Sequence, residues 1–398
     1  ENMLGFVSGL LTGTPSVVTG RWMVVCKSPI TGGWGDANCG GTFSPAIKQC
    51  GYDGIFINGI SPSPVYLYID SKTAVLKPAG HLWGLDAIEA ERLLQAENRK
   101  VKKPEVVVIG TAGEKLSLIS GIINDGGRIA ARSGGGAVMG SKKLKAVVLA
   151  GVKPIDCAHP RKMKTLSKEL SGKMRRFNVP GIVRGGMFPW LGKIMGSMKT
   201  AMPMDGALLG ILMKRWGTVS NNTLGITSGD TPLKNWKGSV VDYDLAHYRN
   251  LNPENIMRVE KEKYHCYSCV IGCGGIVEIA KATNGEFTHS HKPEYETCST
   301  FGGLVMNKDL DSILYINELL NRAGMDSISA GSTVAFAMEC YEHGVITREM
   351  ADGLELTWGN SKSIVTLVKK MIAREGIGDL LADGVKVAAE KLGVSGKP

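Results

Sequence analysis

Apolar positions along this chain change their spacing near residue 152. Before it they come in short blocks: Trp22 to Val25, Gly54 to Asn58, Val65 to Asp70, Val106 to Ile109 and Ala146 to Ala150 read as strands. Asp70-Ser71-Lys72 separates two such runs as a hairpin turn would, and a helical stripe occupies only Leu85 to Glu97. Later in the chain, apolar residues recur at i, i+3 and i+4 in Leu310 to Ala323, Ser332 to Glu342, Ile364 to Arg374 and Gly378 to Lys391, which predicts helices there. Phe336, Met338 and Met371 on these stripes read as ordinary core. The pattern predicts an α+β fold, with a sheet-based N-terminal domain over residues 1–152 and mostly helical domains over residues 153–398. More than one domain also suits a chain of 398 residues, which exceeds what a single hydrophobic core usually serves.

Four stretches break the pattern. Lys27 to Gly41 (KSPITGGWGDANCGG) shows neither period and reads as an ordered loop or a binding surface. Arg132 to Lys143 (RSGGGAVMGSKK) sets three glycines after an arginine and two lysines before the next strand, a composition that can offer backbone N–H groups and cations to phosphate. It lacks the G-K-[ST] ending of a P-loop. Pro180 to Gly196 is apolar but broken by glycine, a loop near a channel or a buried connector, and Gly217 to Trp236 reads as a long polar loop.

Composition narrows the function classes. Glycine, at 52 residues, stands well above its usual share of about 7%, and its interleaving with core sequence points to tight turns and close backbone approaches. No run of some eighteen apolar residues and no signal peptide appears, so a membrane span and export are unsupported. Lys and Arg outnumber Asp and Glu by 47 to 37, a net charge of +10. The densest basic stretch, Arg161 to Arg176, is spaced as on a solvated helix without base-reading partners, which speaks against nucleic acid. The balance suits a small anionic cofactor or an acidic electron-transfer partner. Nine cysteines, scattered apart from one triplet, do not form a secreted disulfide framework and fit a reducing cytoplasm. The opening at Glu1 in an apolar segment and the ending Gly396-Lys397-Pro398 read as a piece lacking both natural ends.

The triplet lies in YHCYSCVIGCGG, which spaces Cys266, Cys269 and Cys273 as C-x2-C-x3-C on a backbone loosened by Gly272, Gly274 and Gly275. Three thiols this close can wrap an iron–sulfur cluster. Structural zinc needs four ligands, and only one C-x2-C pair exists, although His265, His289 and His291 are near in sequence. A [4Fe–4S] cluster with a fourth, remote cysteine is the better match, with Cys298 and Cys340 as candidates for the remote ligand.

Five stretches in order, TGRWMVVCKSPITGGWGDANCGG, ARSGGGAVMGSKKLKAVVLAG, CYSCVIGC, KPEYET and NRAGMDSISAGSTVAFAMECYEHG, are similar to the tungsten-containing aldehyde:ferredoxin oxidoreductase family along essentially the whole chain. The resemblance implies a sheet domain cradling a tungsten (or molybdenum) bis-pyranopterin, a magnesium ion bridging the pterin phosphates, and mostly helical domains on the other side. By resemblance, Arg21, Asn38 and Gly40 in the first glycine-rich loop and Arg132, Ser133 and Gly135 in the second contact the pterin and its phosphates. Asn321 to Asp326 matches a pterin-binding turn that usually reads D-x-x-G-L-D, adding Asn321, Met325 and Asp326, with Asn321 bringing no charge. By itself that stretch is a helix C-cap. Glu296 matches a carboxylate beside the tungsten, poised in an apolar cleft to exchange a proton; Glu294 competes for the role, and a helix N-terminal acid is the plainer alternative. The implied fourth cluster cysteine, second pterin turn and metal-proximal histidine fall beyond the chain's end, which would remove Cys298 and Cys340 as ligands. Tyr315-Ile-Asn-Glu318 departs from the E-x-x-H with which some members bridge two subunits through a metal.

The expected function is oxidation of an aldehyde to a carboxylic acid, electrons passing through the cluster to ferredoxin or an iron–sulfur subunit, in a homo-oligomer or a larger redox complex. The alternatives are the catalytic subunit of an aromatic-acyl-CoA reductase and, in another class, a zinc-stabilised binding module.

Overall fold

The computed structural model describes residues 2–99, 103–176, 178–180, 183–197 and 206–396. The chain forms two compact units, one of residues 1–172, 265–270 and 319–326, the other of residues 173–264, 271–318 and 327–398. The fold is α+β, sheet-based towards the N-terminus and mostly helical towards the C-terminus.

In the first unit, β1 (Leu4–Ser8), β2 (Trp22–Lys27), β3 (Trp34–Cys39) and β4 (Gly54–Ile57) make an antiparallel sheet in the order β3-β2-β1-β4. A second sheet combines β5 (Val65–Ile69), β6 (Ala74–Pro78), β7 (Glu105–Val108), β8 (Ile122–Asn124), β9 (Arg128–Ala130) and β10 (Leu144–Leu149) in the order β6-β5-β10-β7-β8-β9. Only the β10–β5 pair is parallel. Alternation, shifted once by an irregularity between Leu144 and Ala146, decides where each side chain goes. Leu144, Val147 and Leu149 of β10, with Val107 of β7, join a core that also holds Leu4, Phe6, Trp22 and Val24 of the first sheet. Ala146 and Val148, with Val106 and Val108, point into a second core under helix Ala87–Glu97 through Ala87, Ala90 and Leu94. The six-stranded sheet is thus packed on both faces at its centre, as continuous apolar strands require.

Lys145 breaks the apolar run of β10 and is fully buried. Its ammonium is paired with the Glu114 carboxylate and donates to the Leu85 carbonyl at 2.9 Å, while burial lowers its proton affinity.

Two expected loops are regular structure. Lys27 to Gly41 contains β3, whose buried positions Gly35, Ala37 and Cys39 alternate with exposed Trp34, Asp36 and Asn38. Its inward residues are too small to show an apolar period. Arg132 to Lys143 follows β9 and becomes a 3-10 turn, Arg132–Gly134, and a buried helix, Gly135–Ser141. A Cβ at Gly136 would stand 2.5 Å from the Gly121 carbonyl oxygen, and one at Gly140 2.0 Å from that of Gly113. These glycines let backbone pack on backbone.

In the second unit, the expected polar loop Gly217 to Trp236 holds a 3-10 turn, Gly217–Ser220, and a helix, Asn221–Thr227. Of Pro180 to Gly196, Gly181 and Ile182 lie outside the described residues, and Phe188–Ser197 is helical. The helix Leu310–Ala323 lies where the periodicity places it. The next begins earlier than its stripe, at Ser327, and Ser361–Ala373 is close to expectation. The single helix expected from Gly378 to Lys391 is two, Ile377–Leu381 and Val385–Lys391, parted by Gly384 at φ 89°. A small antiparallel sheet, β11 (Glu260–Tyr264), β12 (Gly274–Glu278) and β13 (His289–His291), was too short to carry a period. Among the described residues no helix is long and apolar enough to cross a membrane.

Glu91, on helix Ala87–Glu97, is buried and accepts from the Gly126 amide at 2.8 Å and from Gln95 at 2.9 Å. Burial pushes its carboxyl up from 4.5 to about 7. Through that window the native state holds a proton that the unfolded chain has released, so stability falls as pH rises. Glu91→Gln is expected to raise the melting temperature at pH 8 by a few degrees and to change it little at pH 5. An equal effect at both pH values in thermal melts would count against this account.

Candidate active site

In the antiparallel register of β2 and β3, Trp22 faces Cys39 and Met23 faces Asn38, which brings Arg21 beside the end of β3. Arg21 Nε donates to Asn38 Oδ1 at 2.5 Å and Nη2 to the Asn38 carbonyl at 3.3 Å. Both side chains are exposed. At Gly40 a Cβ would meet Cys266 Sγ at 2.4 Å, Arg128 Nη1 at 3.1 Å and Arg21 Nη1 at 3.6 Å. Glycine is needed there because a thiol and two guanidinium groups close over it.

The loop 265–270 is laid on this corner. The Tyr267 amide donates to the Gly41 carbonyl at 2.9 Å, the Val18 amide to the Ser268 carbonyl at 2.8 Å, and Ser268 Oγ to the Ser16 carbonyl at 2.7 Å. Arg128 Nη1 donates to Cys266 Sγ at 2.8 Å. Within the loop, the Cys269 amide donates to the Cys266 carbonyl at 3.0 Å and His265 Nδ1 to the Cys269 carbonyl at 3.2 Å. Arg128 was not singled out in the sequence; only the β9 hairpin, invisible as a period, brings it here. Cys273 belongs to the second unit, after Gly272 at φ 66°. Gly274 and Gly275 serve another purpose than loosening the loop. They open β12, where a Cβ would meet the Tyr264 ring and the Glu260 carboxylate, each at 2.0 Å.

The second glycine-rich stretch meets the same strand. Ser133, at φ 70°, donates from Oγ to the Asp36 carbonyl at 3.0 Å, and a Cβ on Gly35 would lie 2.9 Å from Ser133 Cβ. Gly135 is buried, with its Cβ position 3.1 Å from Val24. Arg132 Nε lies 3.3 Å from Asp326 Oδ2; the arginine is exposed and the carboxylate buried. Helix end 319–326 is docked by backbone contacts: the Gly121 amide to the Gly324 carbonyl at 2.8 Å, the Asp326 amide to the Ile119 carbonyl at 2.9 Å, and a bridge between Ser120 and Met325. Met325 is buried and Asn321 partly exposed, its carbonyl accepting from the Gly324 amide at 3.2 Å. Gly324, at φ 70°, ends the helix as a C-cap does. Arg21, Asn38, Gly40, Arg132, Ser133, Gly135 and the 321–326 turn therefore share one unit. The exposed side chains of this set, two guanidiniums and an amide, with the half-buried Ser133 hydroxyl beside them, suit a polar anionic group.

Glu296 belongs to the second unit, on the short helix Tyr295–Cys298 that runs into a π-helix, Ser299–Gly303. It is exposed, where an apolar cleft was expected, and its carboxylate makes no hydrogen bond or ion pair among the described residues. Glu294 stands at the N-cap position without a side-chain capping bond, and its carboxylate accepts instead from Thr218 Oγ1, so it is already engaged. The π turn was not visible in the sequence; such turns often mark functional segments. Cys298 and Cys340 are buried, and burial pushes their thiols up to about 12 and about 11, as it pushes Cys39 to about 12. His291 Nδ1 is engaged by the Tyr264 hydroxyl at 2.6 Å, and His289 Nδ1 by Thr288 Oγ1 at 3.0 Å. Among the described residues no group of three or more His, Cys, Asp and Glu side chains is arranged to hold a metal ion.

Residues 1–151 match the family model for the N-terminal domain of aldehyde ferredoxin oxidoreductase, and residues 197–397 that for its domains 2 and 3. The chain is 35% identical to the tungsten-containing aldehyde ferredoxin oxidoreductase of Pyrococcus furiosus over 99% of its own length and 59% of that relative's. It is 31% identical to the WOR-like subunit of an aliphatic sulfonate oxidoreductase of the same organism, over 98% of this chain and 58% of that one. Among solved structures it is similar to the active site complex BamBC of benzoyl coenzyme A reductase with 1,5-dienoyl-CoA. The TM-score is 0.78 at 28% identity, over 99% of this chain and 55% of that one. The chain thus spans under two thirds of the length of these relatives.

Gly40→Ala is expected to displace the Cys266 loop. Overpacking of this kind costs about 1–3 kcal/mol, and the Cys266 thiol should react faster with an aromatic disulfide reagent. A variant with native melting temperature and native thiol reactivity, compared against Cys266→Ser, would refute the close approach.

Proposed function

Because the chain belongs to the aldehyde ferredoxin oxidoreductase family, whose members are oxidoreductases, we propose that it takes part in oxidising an aldehyde to a carboxylate. One observation carries the reading: Arg21, one of the residues matched to pterin contacts, and Cys266 close over the same glycine, Gly40, and the other matched residues lie in the same unit. A tungsten (or molybdenum) bis-pyranopterin, when bound, supplies the redox centre. Arg21 and Arg132 offset phosphate charge, while Asn38 and Ser133 offer hydrogen bonds that fix orientation. Asp326 holds the Arg132 guanidinium in place from its buried position.

Aldehyde and water become carboxylate with release of two electrons and three protons. The Glu296 carboxylate, unpartnered and exposed, accepts one of those protons. On the C-x2-C-x3-C spacing and the family likeness, the thiolates of Cys266, Cys269 and Cys273 would hold a [4Fe–4S] cluster, a one-electron store between substrate and an outside acceptor such as ferredoxin, although their side chains are not gathered as a metal site in this structure. Arg128, donating to Cys266 Sγ, steadies that thiolate. Residues 1–152 form the cofactor-binding domain in this reading.

A second reading, reduction of an aromatic acyl-CoA, draws on the likeness to the benzoyl-CoA reductase complex. Elemental analysis of the full-length protein, with viologen-dye reduction by a panel of aldehydes, separates the two. Glu296→Gln is expected to lower kcat by about a hundredfold or more with tungsten content and visible absorption unchanged. A colourless protein with zinc and no tungsten or molybdenum, or an E296Q variant of full activity, would overturn the proposal.

A further inference from the structure

The helix Pro160–Arg176 carries an arrangement that its own stability does not explain. Its first turn contains no acid, although the positive end of a helix dipole favours one. Instead Arg161, Lys162, Lys164 and Lys168 are exposed, and none forms an ion pair among the described residues. The first carboxylate in the helix is Glu169. Leu166 and Leu170, one turn apart, are exposed by 54% and 48%, an apolar centre with cations around it.

This basic surface adjoins the cysteine loop. An open groove of about 470 Å³ is lined by Thr14, Ile155, Asp156, Cys157 and Pro160, and also by Tyr267, the residue after Cys266. A second hollow, between His159, Pro160, Arg161 and Lys162, continues from it at Pro160. Tyr267 and the start of the helix are therefore rims of one surface in the first unit.

We propose that the groove at Tyr267 and the first turns of helix Pro160–Arg176 form the docking surface for a small acidic electron-transfer protein. The proposal rests on the reading that Cys266 is a cluster ligand. Charge selects the partner: four unpaired cations in eight residues attract an acidic surface, with Asp156 the one opposing charge in the groove. No aromatic residue stands between these cations, and Tyr267 is the single aromatic ring in the lining of the groove, which does not make a platform for successive bases. A partner seated there stands one residue from Cys266. Electrons then leave singly, each reducing one oxidised centre of the partner, with no bond made or broken.

The test uses full-length holoenzyme and a Lys162→Glu, Lys164→Glu, Lys168→Glu variant, with an acidic ferredoxin as probe. Ferredoxin affinity, measured by titration calorimetry at low salt, is expected to fall at least tenfold. Its salt dependence should flatten, and aldehyde-driven viologen reduction should stay at the wild-type rate. Unchanged affinity and salt dependence would overturn the docking surface, as would binding of the wild type to anionic phospholipid vesicles in preference to ferredoxin. Wild-type protein without iron–sulfur absorption would overturn the cluster reading and this proposal with it.

Discussion

A strand with no wet face has to be apolar on both sides, and β7 and β10 impose that demand on everything around them. Because they feed alternate residues into two cores, a one-residue slip of β10 would exchange the contents of both. The one charged residue in β10, Lys145, is tolerated only because Glu114 and the Leu85 carbonyl meet its ammonium. The sheet's outer strands and the corner that holds Arg21 and Gly40 inherit their positions from this centre.

What could be read from the sequence followed the size of the inward side chains. β2, β5, β7 and β10 bury Trp, Tyr, Val and Leu and announce themselves. β3 buries Gly35, Ala37 and Cys39, and its period is silent although its place is as fixed. The abundance of glycine was legible as close approach, but not the identity of what approaches. At Gly136 and Gly140 it is a neighbouring carbonyl, at Gly274 an aromatic ring, and at Gly40 a cysteine sulfur. Long amphipathic helices such as Leu310–Ala323 were legible to the residue, whereas the break at Gly384 was hidden inside a continuous stripe.

The candidate site divides in the same way. Arg21, Asn38 and Ser133 came from a resemblance of motifs, and the register of β2 and β3 supplies the geometry that motifs omit. Arg128 and the π turn after Glu296 belong to no motif considered in the sequence. Each depends on pairing or packing between distant segments, which local spacing does not encode.

The first unit is assembled from three separate pieces of chain, ending with residues 319–326. Its backbone contacts at Gly121, Ile119 and Gly41 have partners some 200 residues downstream. Closing such loops is entropically costly and slow compared with local contacts. During vectorial synthesis, the two sheets can collapse long before the cysteine loop and the 321–326 turn exist to cover their corner. The corner that holds Arg21, Gly40 and Ser133 is thus the last part of this unit to be completed. That order leaves an interval in which the glycines and guanidinium groups of this corner stand open before two later segments close over them.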